Sequence, residues 1–398
     1  MSKSIISLTM TMIMMVSLPA IHAQDTLEVI NTTPSHNIQD PGHPIIVLRS
    51  AGQKYQIGIG GFARLVGIYD LNGLQDVDDF ITYQIPVGEK NKKDRMYLSA
   101  SQSRLFTEFM GNTKNGPIRV YIEADFDGNG NAFRLRHAYG EYWGFLFGQT
   151  WTTFMDIDAS PNTIDFEGPN SQVSLRNPMI RYGKKIGKHF SFAVSAETPM
   201  ASITVAPGIE SVPQYFPDLA GKIRIDGEWG HLQFAAILRH IAYEDSLSGK
   251  TRRTRSWGRS ITGLINVTQN DIIMFQVVYG EGIARYIQDI SGCGMDLVPA
   301  KGDSTLKPLP VWGFYGSVQH NWTPTINSSI IYGYTQAAKF GIQPDDYYKI
   351  GQYIAANFFW DILPVFTVGI EYLWGQRINQ NGAKGTANRI DFMAQFTF

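Results

Sequence analysis

RVYIEADFD (119–127) alternates without a fault. Val120, Ile122, Ala124 and Phe126 face one way, while Arg119, Tyr121, Glu123, Asp125 and Asp127 face the other. A period of two is the signature of a β-strand, whose successive side chains point to opposite faces. The pattern recurs in KIRIDGEW (222–229), where Ile223, Ile225 and Trp229 oppose Lys222, Arg224, Asp226 and Glu228. It recurs again in RIDFMAQFTF (389–398), which carries Arg389 and Asp391 on the polar side and ends on Phe398. One apolar and one ionisable face per strand require two different surroundings.

Working outward, sixteen segments of this kind are expected, near 56–70, 98–110, 117–127, 132–142, 144–151, 176–184, 188–198, 219–229, 231–243, 256–268, 271–282, 311–322, 326–335, 348–361, 365–375 and 387–398. Connectors after even-numbered segments are short, and most after odd-numbered ones are long. The exception follows the third segment, at Gly128 to Asn131. An even strand count with short turns at one end and long loops at the other is the arrangement of outer-membrane barrels. The fold class expected is therefore all-β: a transmembrane antiparallel β-barrel of 16 strands, with its short turns in the periplasm. A soluble β-helix or sandwich shares the periodicity. A secretion signal, aromatics near strand ends (Trp143, Trp229, Trp322, Trp360, Trp374) and the terminal alternating strand favour the barrel.

Composition agrees. Aromatic residues make up 13% of the chain and charged residues only 17%, yet mean hydropathy is slightly polar at -0.14. Beyond the N-terminus there is no apolar run of about 20 residues such as a membrane helix needs. A net charge of -1 gives no basic footprint for nucleic acid. Cys293 is the single cysteine, so neither an intrachain disulfide framework nor a cysteine-based metal cluster is expected.

Residues 1–23 read as a signal peptide, with Lys3, an apolar run from Ile5 to Leu18, and cleavage after Ala23. Residues 24–55 read as a short periplasmic lead-in, with Pro34, Pro41 and Pro44 and no heptad. The barrel domain is expected over 56–398.

Arginines on the polar strand faces must line the lumen, because on the lipid side at mid-depth each would cost about 2–4 kcal/mol. The loop 152–175 carries Asp156, Asp158, Asp165 and Glu167 and no Lys or Arg. If it folds inward, its carboxylates are expected to face Arg134, Arg136, Arg176 and Arg181 across a constriction. Such opposed charges would orient a polar solute. Catalytic and metal patterns fail. Asp125-x-Asp127-x-Asn129-Gly130 starts like an EF-hand loop but has Arg136 where the bidentate Glu belongs. His137, His189, His231, His240 and His320 are scattered. No enzyme activity and no cofactor are expected.

The stretch YIEADFDGNGNAFRLRHAYGEYWGFLFGQTWTTFMD (121–156), with IDFEGP (164–169) and GIGGFARLVGIYDLNG (58–73), closely resembles the DcaP-like porin family of Gram-negative outer membranes. The resemblance implies a homotrimer of sixteen-stranded porins in the lipid bilayer of the outer membrane, taking up small anionic solutes such as dicarboxylates. It also implies that 152–175 is the constriction loop, and that Arg64, Arg104, Arg119, Arg134 and Arg136 form a basic wall. With no heptad before the barrel, a trimer would be held by barrel walls. The expected function is passive diffusion of small hydrophilic solutes. The alternatives are a sealed structural or adhesive barrel and, third, a barrel enzyme. A plugged, energy-coupled transporter is not expected, because the lead-in is too short.

Overall fold

The computed structural model describes residues 27–29, 37, 39, 46–50, 52, 54–71, 74, 76, 78–88, 94–204, 207–246, 248–299, 305–339 and 343–398. The proposed signal peptide lies outside them. Sixteen antiparallel strands close into one barrel. They are β1 (Tyr55–Asp70), β2 (Arg104–Thr113), β3 (Gly116–Gly128), β4 (Ala132–Tyr142), β5 (Phe145–Trp151), β6 (Arg176–Ile186), β7 (Phe190–Glu197) and β8 (Asp218–Gly227), then β9 (Gly230–Asp245), β10 (Lys250–Asn266), β11 (Asp271–Glu281), β12 (Pro310–Thr323), β13 (Ile326–Ala337), β14 (Tyr348–Leu363), β15 (Phe366–Asn379) and β16 (Lys384–Thr397). Closure comes from β16 against β1, in a register running from Arg389↔Asp70 to Thr397↔Phe62.

Burial is inverted relative to a water-soluble protein. Along β9, His231, Gln233 and Arg239 are buried, whereas Phe234 and Leu238 are about half exposed. On β3, Glu123 and Asp125 are buried while Ile122 is exposed. The polar set faces inward and the apolar set faces out, which is stable only where lipid covers the outside. Closure also leaves no unpaired sheet edge in the bilayer.

Turn chemistry fixes the strand order. Between β4 and β5 only Trp143 and Gly144 intervene, both left-handed at φ 58° and 81°. This is the two-residue hairpin turn whose twist matches the flanking strands. At the other end, Gly130 and Asn131 (φ 67° and 61°) make the tight β3–β4 connection that breaks the long-loop rule.

Two details depart from the sequence reading. The segment expected at 98–110 is interrupted. Arg95–Ser99 pairs with the upper half of β1, a turn follows, and β2 starts at Arg104. Ser103 Oγ accepts from the backbone N–H of Arg64 across the break. At the short-turn end, β16 stops opposite Phe62, and Ile46–Arg49 pairs with Gln56–Ile59 to complete the seam.

Candidate functional site

The loop 152–175 leaves β5 and enters the lumen, because the wall presents acceptors and donors to its backbone. Glu197 Oε1 accepts from Thr152 Oγ1 (3.0 Å) and from the N–H of Thr153 (2.9 Å). Glu371 Oε1 accepts from the N–H groups of Ile164 and Asp165 at 3.0 and 2.7 Å. Asn357 and Tyr315 donate to the carbonyls of Asn162 and Ala159. A folded-in loop must pair its backbone groups, and here the wall side chains do so.

Two further loops join it, and sequence reasoning left both outside the barrel. The β11–β12 loop packs on it through a Val173↔Ile287 bridge and a buried cluster of Phe154, Ile283, Tyr286, Ile287, Ile290 and Met295. The signal was present, since 283–298 carries apolar residues that an exterior loop does not need. The β1–β2 loop inserts around Phe80–Ile85. There Asp289 accepts from the N–H of Thr82 (2.6 Å), the Thr82 hydroxyl (2.8 Å) and the N–H of Tyr83 (3.2 Å). Asp165 likewise accepts from the N–H of Phe80 at 3.0 Å and from the Tyr353 hydroxyl at 3.0 Å.

Arg64, Arg104, Arg119, Arg134 and Arg136 lie on the inner face of the wall, and their partners are mostly on the wall itself. Arg104 meets Glu123 at 3.3 Å, and Arg136 meets Glu123 at 2.7 Å and Asp125 at 2.9 Å. Arg134 bonds Asp125 and Asp127, both at 2.8 Å, which also accounts for the half EF-hand motif. Arg64 donates to Gln395 and Gln102. Arg64 and Arg104 both lie over the Phe62 ring. Arg119 bonds Glu108 at 2.5 Å and Glu141 at 3.4 Å, and Arg181 reaches Glu141 at 4.0 Å.

The loop carboxylates do not take the partners expected of them. Asp156 accepts from Thr262 (2.6 Å) and pairs with His231 (2.9 Å) and Arg224 (3.5 Å), and Asp158 also pairs with Arg224. Asp165 holds backbone N–H groups. Both oxygens of Glu167 are buried without a hydrogen-bond partner. Arg134 and Arg136 instead rest on the ring of Phe166. Arg176 lies over Trp151, in a cavity of about 370 Å³ shared with Gln39, Asp79, Arg134, Glu167 and Gln288. Burial first, then the neighbouring Asp289 and Asp79, pushes the Glu167 carboxyl well above its ordinary range. Asp79 moves the same way, and burial lifts Asp289 to about 6.

Residues 37 and 39 also sit in this constriction. Asn37 donates to the carbonyls of Ile157 and Ser160. Gln39 donates to the carbonyl of Phe166, and its own carbonyl accepts from Trp151 Nε1 at 3.1 Å. No sequence signal pointed to either.

Below the constriction, at the short-turn end, lies a cavity of about 730 Å³. Among the described residues, Lys54, Arg119, Arg181, Lys185 and Lys222 line it with Glu141, and Arg119 also bonds Glu108; Lys184 belongs to the outer face of its strand, with Ile180 and Ile186.

Comparison with known proteins fits this geometry. Residues 43–398 match the family model described as DcaP outer membrane protein. The outer membrane channel DcaP of Acinetobacter baumannii superposes with a TM-score of 0.77 at 22% identity, covering 88% of this chain and 99% of that one. OmpF of Salmonella typhi, in complex with daunomycin, gives 0.55 at 10% identity, covering 87% and 99%. OmpT of Vibrio cholerae gives 0.54 at 12%, covering 87% and 98%. No curated protein matches the sequence.

Proposed function

The chain belongs to the DcaP outer membrane protein family, and from that premise we propose that it is a passive channel with a preference for small anionic solutes, dicarboxylates among them. The coarser part stands on the comparisons: this is a sixteen-stranded, porin-type barrel of the Gram-negative outer membrane, and its structural relatives are channels. The observation that carries the anion preference is the lower cavity, where Lys54, Arg119, Arg181, Lys185 and Lys222 outnumber the carboxylates Glu141 and Glu108 that pair with Arg119 and Arg181. A water-filled vestibule of one charge sign concentrates counter-ions and excludes co-ions. Two carboxylates on one solute could engage Arg181 and Lys222 together. Catalysis has no part in this reading, since permeation requires only a wet path. The assembly proposed is a homotrimer in the bilayer, each barrel conducting independently.

Reversal potentials in a salt gradient across a planar bilayer test the preference. An anion-selective potential, lowered in size by succinate competition, is expected. A cation-selective potential would overturn it. A second reading, a sealed structural barrel, is favoured by the three interlocked loops in the lumen. Well-folded protein that gives no conductance steps would decide for it.

A further inference from the structure

On β10 the side chains of Arg252, Ser256, Ser260 and Thr262 point inward, and Arg252 pairs with the lumenal Asp245 at 3.0 Å. The alternate set, Arg253, Arg255 and Arg259, is exposed on the outer surface of the barrel. Cations on that surface are costly at mid-depth and nearly free at the interface. Their height follows from strand geometry. Arg259 stands eight residues above the short turn at 267–270, or about 20 Å at ~3.4 Å per residue and a tilt of ~40°. The apolar band of such barrels is about 25 Å tall. Arg259 thus lies in the upper part of the band, with Ile261, Phe234 and Val277 exposed one step beneath it and Leu238 exposed one step above, opposite Trp257. Arg255 and Arg253 stand higher, at headgroup level.

The surroundings fit an interface. Arg259 lies over the rings of Trp257 and Tyr279, at 5.6 and 5.8 Å. Arg253 lies over the ring of Tyr215, a residue 60% exposed, at 5.4 Å. Arg255 stands opposite His240. Rings under a guanidinium hold it in place while leaving its N–H edge open to an acceptor. Three carboxylates are near. Glu244 stands above, Glu281 is opposite Trp257, and Glu210 accepts from Ser246.

We propose that Arg253, Arg255 and Arg259 bind the phosphate groups of a phosphorylated glycolipid of the outer leaflet, the lipid A class, with its acyl chains lying on the apolar band below. The loop end of the barrel faces the outer leaflet, whose lipids present phosphates at this depth. Arg forms paired N–H···O bonds to phosphate, and the exposed aliphatic residues under it suit acyl chains. The face lies on the opposite side of the barrel from the β16–β1 seam, so it is set apart from the N-terminal strand that completes that seam.

The test uses the full, delipidated protein in detergent, titrated with diphosphoryl lipid A or with dephosphorylated lipid A and read by native mass spectrometry. The R253A/R255A/R259A variant should bind the diphosphoryl form about tenfold or more weakly, since charge-assisted bonds are worth over 1.4 kcal/mol together. The dephosphorylated lipid should bind both proteins equally weakly. If the alanine variant fails to fold, the R253Q/R255Q/R259Q variant is read in the same way. Equal retention by variant and parent overturns the proposal, as does indifference to the phosphates. A changed oligomeric mass with unchanged lipid binding also overturns it, and would assign the face to a subunit contact.

Discussion

Arg136 Nη2 donates to the side-chain carbonyl of Gln39 at 3.1 Å, so a residue ahead of the barrel is bonded to the wall at its constriction. The remaining bonds of Arg136 go to Glu123 and Asp125. Residue 39 is therefore fixed among the loop and wall residues of the constriction by four hydrogen bonds, counting that from its own N–H to Asn37. The N37A/Q39A variant is expected to give larger and noisier single-channel steps, with the barrel still folded. Each deleted bond removes about 1 kcal/mol of anchoring. Unaltered step size would place this contact outside the conducting path.

The buried pair of Arg136 and Glu123 should matter for stability rather than selectivity. Both are fully buried, and removal of one partner strands the other charge. Glu123→Ala is expected to destabilise the barrel by about 3–5 kcal/mol, measured as a lower temperature for loss of heat-modifiable mobility on gels. A wild-type temperature would mean that water reaches this site.

Selectivity should instead follow the lower cavity. Arg181→Ala with Lys222→Ala is expected to move the reversal potential toward cations by more than Arg134→Gln does. Arg134 is already balanced by Asp125 and Asp127, while Arg181 reaches its carboxylate only at 4.0 Å. The reverse ordering would relocate the anion filter to the constriction.

Acidity should act through the inner loops. Glu167, Asp79 and Asp289 all have folded-state pKa values above their ordinary ones, with Asp289 at about 6. A raised carboxyl pKa means that the folded loops favour the protonated form. Their contribution to stability is full below the unfolded pKa of ~4 and is lost as pH rises through the folded value. From pH 7 to pH 5 Asp289, at about 6, loses its negative charge, so anion selectivity should increase while the loops tighten. In the D79N/E167Q/D289N variant this pH dependence should be flattened. A parent channel whose reversal potential is constant over that range would contradict the assignment.

Asp289 should also be the pin between two loops, through its three bonds to Thr82 and Tyr83. Asp289→Ala is expected to free the 80–85 segment and make it sensitive to protease added from outside, at a cost of roughly 1 kcal/mol per lost bond. Resistance equal to the parent would show that the apolar contacts of Phe80 and Ile85 suffice.

By itself, the sequence determined the barrel. Strand count and closure follow from alternation and turn length, because lipid outside and water inside impose a period of two on every strand. The inward position of Arg64, Arg104, Arg134 and Arg136 followed from the same constraint. Tertiary structure alone decided what those arginines touch. Pairing across strands depends on register, so Arg136 met Glu123 on the neighbouring strand rather than Asp165 or Glu167 on the loop. It also decided that three loops, together with Asn37 and Gln39, fill the constriction. Those contacts join residues far apart in the chain, through backbone groups that every residue carries. Composition and periodicity hold no record of which ones meet.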